Sequence, residues 1–258
     1  MSLHIDLSGH RALITGAGQG VGRGLALAFA SAGAEVLVND LRPDLAEAVV
    51  AEVRDAGWAA QPAPFDVTDY DAVTAALAAA DSVDILVNNA GNAGAHGFGT
   101  RGRFAESAPH DWEPYLRVNL YGVLNCTRAV LPDMIAARWG RVITIVSDAG
   151  RVGDPSSAVY AASKAGAAGF TRSVALEHGR YRITANNIAL GTMRTPATEP
   201  LWAEPDSSQA QSILRNYVIR RPGSPDDVAP LAAMLASGHG AWITGQTIPV
   251  NGGFSFAQ

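Results

Sequence analysis

The chain has 258 residues, a hydrophobic fraction of 48% and a formal charge of −5 from 19 basic and 24 acidic side chains. This is the composition of a folded globular chain with a sizeable core, not of a disordered one. It also excludes several classes: there is no basic cluster for nucleic acid, the one cysteine, Cys126, allows no disulfide framework, the six histidines show no metal-ligand spacing, and no apolar run reaches the roughly 20 residues of a membrane helix.

Ahead of Arg11 the chain has no Lys or Arg and includes Asp6, so no secretory signal is read there and a cytoplasmic location is expected. Residues 11–15 read as a short apolar strand, followed by a glycine-rich turn and a helix over 21–32 that Gly33 stops. A second strand over 35–39 is followed by a helix to about residue 56, with Pro43 as its first residue. A third strand lies near 60–65, and Asp69 caps a helix to about residue 80. Residues 83–87 form a fourth strand, and a glycine-rich stretch covers 91–102. A long helical region over 109–137 leads to a fifth strand at 141–146, then a helix over 157–179 and a sixth strand at 183–188. A loose, proline-containing region spans 191–223, before a helix over 225–236 and a last strand near 246–250. Strand and helix alternate throughout and the strands are nearly all apolar, the signature of a parallel sheet covered on both faces. With no linker and no internal repeat, residues 1–258 read as one α/β domain, doubly wound, with about seven strands.

The turn after the first strand is Thr15-Gly-Ala-Gly-Gln-Gly-Val-Gly22. Glycines there permit positive φ and close approach of backbone to a diphosphate, and the following helix N-terminus favours negative charge. The spacing, Gly16 to Gly20 to Gly22, departs from the common Gly-x-Gly-x-x-Gly. It resembles the short-chain dehydrogenase/reductase family, which implies a Rossmann fold and dinucleotide contacts from Gly16, Gln19, Gly20, Val21 and Gly22. Asp40 ends the second strand, 18 residues beyond Gly22. An acid there accepts hydrogen bonds from the ribose hydroxyls of NAD and repels the 2′-phosphate of NADP. No basic residue stands at 17–21 or at Leu41, where NADP-using relatives usually carry one, so the expected cofactor is NAD rather than NADP, with Arg42 as the one ambiguity. The resemblance also assigns Asp66 and Val67 to the adenine ring, and Asn89, Ala90 and Gly91 to the adenosine side.

Eighteen of the 19 basic residues are Arg; the one Lys is Lys164, in Tyr160-Ala-Ala-Ser-Lys164. On a helix, residues four apart share a face, and Ser147 precedes the tyrosine by 13 residues at the end of a strand. Together these resemble the family's Ser–Tyr–Lys triad. The resemblance implies hydride transfer between a secondary alcohol or ketone and the cofactor, with Tyr160 as general acid/base and also at the cofactor. Lys164 would favour the phenolate electrostatically and bind the nicotinamide ribose, Ser147 would hold the substrate oxygen, and Asn119 would support a water-linked proton path to the lysine. Gly191, Ile188 and Thr195 match the segment that contacts the nicotinamide, although Leu190 stands where relatives usually have Pro. Residues 92–104, 148–157 and a lid at 192–222 are expected to shape the substrate pocket. Leu201 and Trp202 are candidate walls, and Arg151 and Arg194 candidate partners for a substrate anion. The ending, residues 244–253, resembles the family's, with Asn251 where Asp is common. A homotetramer is expected, with a small-molecule alcohol or ketone as the only other partner and no metal. The enzymatic alternative is an NADPH-dependent 3-oxoacyl-thioester reductase; the alternative of another class is a catalytically silent NAD-binding scaffold.

Overall fold

Seven parallel strands lie in the order β3-β2-β1-β4-β5-β6-β7 in the computed structural model, which describes residues 4–92, 97, 99 and 101–256. They are β1 (Arg11–Ile14), β2 (Glu35–Val38), β3 (Ala60–Pro62), β4 (Ile85–Asn88), β5 (Gly140–Ser147), β6 (Ile183–Leu190) and β7 (Thr247–Val250). The helices that join them are α1 (Gly20–Ser31), α2 (Pro43–Asp55), α3 (Tyr70–Ala78), α4 (Pro109–Leu116), α5 (Gly122–Ala137), α6 (Ala149–Val152), α7 (Ala158–His178), α8 (Glu199–Trp202), α9 (Ser208–Leu214) and α10 (Pro225–Ala236). The α/β architecture matches the expectation, and its local signals operate as read. Pro43 opens α2, and Asp69 caps α3 by accepting from the backbone N–H groups of Asp71 (3.0 Å) and Ala72 (3.1 Å).

Both faces of the sheet are covered, which is why the strands are apolar without alternation. On one face Ile14, Val36, Ile85 and Ile188 pack with Leu25 and Phe29 of α1 and Val228 and Leu235 of α10. On the other, Leu13, Leu37, Leu86 and Val142 pack with Val73, Cys126, Met134 and Val174 of α3, α5 and α7. Each large side chain buried this way contributes about 1.5–3 kcal/mol. Strand order reverses between β1 and β4, and a crevice opens outside the carboxyl ends of strands at such a reversal.

Two differences from the expectation bear on the site. The long helical region over 109–137 is α4 and α5 joined by one π-helical turn, Arg117–Tyr121, which holds Asn119. The strand expected to end at residue 188 continues to Leu190, because Ala189 and Leu190 still pair with β5 on one side and β7 on the other.

Candidate active site

The crevice is lined at one end by the loop after β1. Thr15 Oγ1 accepts from the N–H groups of Asn89 and Ala90 (both 3.0 Å), and Asn89 Nδ2 donates to the carbonyls of Thr15 (2.9 Å) and Gly16 (3.0 Å). The loop thus folds over the asparagine that follows β4. Gly16 and Gly20 have φ of +60° and +57°, and a Cβ at Gly22 would strike Gly16 O and lie 2.5 Å from Asn89 Nδ2. Only glycine permits this turn. Asn39, which in the sequence is only the last residue of a strand, holds the loop from below. Its Oδ1 accepts from Gly16 N–H (3.3 Å), while its Nδ2 donates to the carbonyls of Ala63 and Phe65 (3.0 Å each).

Asp40 faces the same loop. Its Oδ2 accepts from Gly18 N–H and its Oδ1 from Arg42 N–H, both at 3.0 Å. A carboxylate has about four acceptor sites, so capacity for a diol remains. Gln19, Gly20, Val21 and Gly22 open α1, whose first N–H groups have no partner within the helix. These residues line one continuous cleft of about 1770 Å³ with Leu41, Asp66, Val67, Ala90 and Gly91. A glycine-walled turn, a helix N-terminus and a partly free carboxylate fit a dinucleotide.

The cleft continues to Ser147, Tyr160 and Lys164. Ser147 ends β5, and its Oγ accepts from Ala149 N–H (3.2 Å). Burial pushes the Tyr160 phenol above its ordinary value of 10.0; a hydrogen bond with Ser147 and the charge of Arg101 pull the other way. The phenol is therefore not lowered here, as a neighbouring ammonium would have it. The Lys164 ammonium donates to the carbonyl of Ile145 (2.9 Å), and burial pushes its pKa down to about 8. Tyr115 meets the Tyr160 ring edge-on, with centroids 6.1 Å apart.

Asn119 is fully buried rather than on the cleft wall. The π turn aims its side chain at the site: Nδ2 donates to the carbonyls of Asn92 (2.7 Å) and Tyr115 (2.9 Å), and Oδ1 has no partner among the described residues. Thr195 arches over the glycine loop, its Cβ 3.3 Å from where a Cβ on Gly20 would be. Gly191 lines the cleft, but Ile188 does not. Because β6 runs on to Leu190, Ile188 sits inside the sheet opposite Ile145 and Ile248, fully buried, and Met193 takes the cleft position beyond the strand.

Several substrate-pocket expectations change. Arg151 is committed to Asp148 (2.6 Å) and Arg194 to Glu199 (2.6 Å). Leu201 lines the cleft, whereas Trp202 is buried away from it. Residues 93–96, 98 and 100, part of the expected 92–104 wall, lie outside the described residues. Tyr217, which nothing in the sequence singled out, lines the cleft and fastens Thr192, just beyond β6: its hydroxyl accepts from Thr192 N–H (2.7 Å) and donates to Thr192 Oγ1 (2.9 Å).

A family model described as enoyl-(acyl carrier protein) reductase matches residues 16–255. The oxidoreductase UcpA of Salmonella typhimurium is 36% identical over 261 residues, covering 98% of this chain and 97% of that protein. Among solved structures, a gluconate 5-dehydrogenase from Burkholderia cenocepacia in complex with NADP and tartrate superposes with a TM-score of 0.88 at 36% identity, covering 97% of each chain. A 3-oxoacyl-[acyl-carrier protein] reductase with bound NAD from Brucella melitensis gives a TM-score of 0.88 at 34% identity, covering 100% of this chain and 99% of that one.

Proposed function

The chain belongs to the short-chain dehydrogenase/reductase family of oxidoreductases, and from that membership we propose that it interconverts a secondary alcohol and a ketone with NAD(H), Tyr160 acting as general acid/base. The observation that carries this reading is the meeting of Ser147, Tyr160 and Lys164 in the same cleft as the glycine loop and Asp40.

When bound, the nicotinamide supplies or accepts the hydride. The chain's residues manage the oxygen and its proton. Ser147 Oγ holds the substrate oxygen by hydrogen bonding, and the Tyr160 hydroxyl takes or returns the proton. Lys164, buried and fixed on the Ile145 carbonyl, holds its charge in the same cleft as the tyrosine. Asn119 Oδ1 opens toward the lysine and supports a water-linked proton path. General acid–base help of this kind is worth about 10² to 10⁴ in rate.

Asp40 supports NAD, because a carboxylate beside the adenosine ribose repels a 2′-phosphate. Since relatives bind either cofactor, the preference is argued from this chain's own residue. A 3-oxoacyl-thioester reductase using NADPH is the second reading; relatives of that name favour its substrate class, and Asp40 opposes its use of NADPH. A silent scaffold is disfavoured by the presence of all four site residues. A panel of secondary alcohols, including polyhydroxy acids and 3-hydroxyacyl thioesters, followed with NAD and NADP by absorbance at 340 nm, tests the proposal. Turnover with NAD is expected; no turnover of any member with either cofactor overturns it.

A further inference from the structure

Asp148 follows Ser147 directly and is 2% exposed. A buried carboxylate is costly unless its oxygens are paired. Here Oδ1 accepts from Arg151 Nη1 (2.6 Å) and Ser255 Oγ (3.1 Å), and Oδ2 accepts from Asn251 Nδ2 (2.6 Å). Two of these donors belong to the C-terminal tail, more than 100 residues away in sequence. The backbone around the carboxylate is equally committed. Asp148 N–H donates to the Leu190 carbonyl (3.1 Å), and the Asp148 carbonyl accepts from Arg151 N–H (2.8 Å) and Val152 N–H (2.9 Å). Ser147 therefore sits between the carboxyl end of β5 and a turn whose side-chain anchor is fastened to the tail.

The tail reaches this anchor by crossing the end of β6. A Cβ at Gly191 would lie 3.2 Å from Asn251 Cα and 3.0 Å from the Tyr217 ring, so the crossing is close and a larger residue there would push the tail or Tyr217 by a few tenths of an ångström. Gly191 N–H donates to the Val250 carbonyl (3.3 Å), and Asn251 Oδ1 accepts from Gly253 N–H (3.0 Å), which turns the tail back and fixes the amide with Nδ2 toward Asp148. The identity of residue 251 matters. An aspartate there would set a second carboxylate oxygen about 2.6 Å from the first, where two like charges cannot both ionise. The amide is matched to Asp148.

We propose that Asn251 and Ser255 are positioning residues: by holding the Asp148 carboxylate, the tail fixes the orientation of the adjacent Ser147 hydroxyl toward the substrate oxygen. The proposal rests on the reading of Ser147 as the group that holds that oxygen. An error of about 1 Å in such a group can cost up to about 10²-fold in rate.

The test compares Asn251→Asp, Asn251→Ala and the exchange Asp148→Asn/Asn251→Asp, each with Ser147 intact and as Ser147→Ala. Asn251→Asp is expected to lower kcat about tenfold or more while the Kd for NADH changes little. The exchange keeps one donor facing one acceptor between positions 148 and 251 but loses the bond that Asn251 Nδ2 donates to the Ser255 carbonyl (3.1 Å), so it is expected to restore part of the loss. With Ser147→Ala, Asn251→Asp is expected to have no further effect on kcat, because coupled residues are non-additive. Wild-type kcat in Asn251→Asp, an exchange no better than the single variant, or an equal loss in the Ser147→Ala background would each overturn the proposal. If Asn251→Asp does not fold, Asn251→Ala gives the same readings without the added charge. A crystal structure of the variant provides an arm independent of any substrate. Ser147 Oγ displaced from Ala149 N–H is expected, and an unmoved hydroxyl would overturn the proposal even if no alcohol were turned over, an outcome that counts against the proposed function alone.

Discussion

The side chains of Asn119 and Lys164 converge on one point beside Gly91: a Cβ built on that glycine would lie 3.3 Å from Asn119 Oδ1 and 3.2 Å from Lys164 Nζ. The asparagine comes from a π turn, the lysine from α7 and the glycine from the segment after β4. An ammonium has three donors; the Ile145 carbonyl takes one, and the Asn119 oxygen, which has no partner among the described residues, faces the same place.

Gly91 is outside the left-handed region, so alanine there meets no backbone penalty. Its methyl would nonetheless occupy the space between the amide oxygen and the ammonium. Gly91→Ala is expected to lower kcat about tenfold, a fraction of what acid–base help supplies, with a much smaller change in Tm. Steady-state kinetics and thermal melting on the same preparation check this; unchanged kcat would show that the space has no part in proton movement.

Lys164 also makes stability depend on pH. Burial lowers its pKa from 10.5 unfolded to about 8 folded. The unfolded chain therefore binds the proton more tightly, and stability rises with pH between about 8 and 10.5. Below that window the fold bears the full cost of burying the ammonium, of order 3 kcal/mol at 1.36 kcal/mol per pKa unit. Lys164→Met lacks this cost. Its Tm relative to wild type is expected to be most favourable near pH 7 and to lose that advantage toward pH 10. A difference that stays constant with pH would place the lysine pKa near its ordinary value.

At the other end of the cleft, Asp40 accepts from Gly18 N–H and Arg42 N–H (3.0 Å each) and still has acceptor capacity for the ribose. Asp40→Ala is expected to narrow the ratio of kcat/KM for NAD over NADP by about tenfold or more, the usual size of the effect when a charged hydrogen-bonding partner is lost. A wild-type preference for NADP, or an unchanged ratio in the variant, would contradict the assignment.

What could be read in the sequence was local. The Asp69 cap, Pro43 at the start of α2 and the glycine turn each depend on a few neighbouring residues, and all lie where expected. The site residues too are brought together largely as read, because the carboxyl ends of parallel strands share one edge. What escaped was non-local. Asn119 is aimed by a π turn, which period-3.6 patterning does not reveal. Ile188 was placed at the cofactor because the end of β6 is set by its pairing with β5 and β7, not by its own residues. Arg151 looked available to a substrate until the fold brought Asp148, Asn251 and Ser255 together.

Tyr160→Phe tests the central claim most directly, measured as kcat for NAD-dependent oxidation of the best alcohol in the panel alongside the Kd for NADH by fluorescence titration. The substitution removes the hydroxyl and keeps the ring that packs against Tyr115. A loss of at least about 10²-fold in kcat is expected, with cofactor binding nearly unchanged. Activity retained above about a tenth of wild type would contradict Tyr160 as the general acid/base, since such a group is worth about 10² or more.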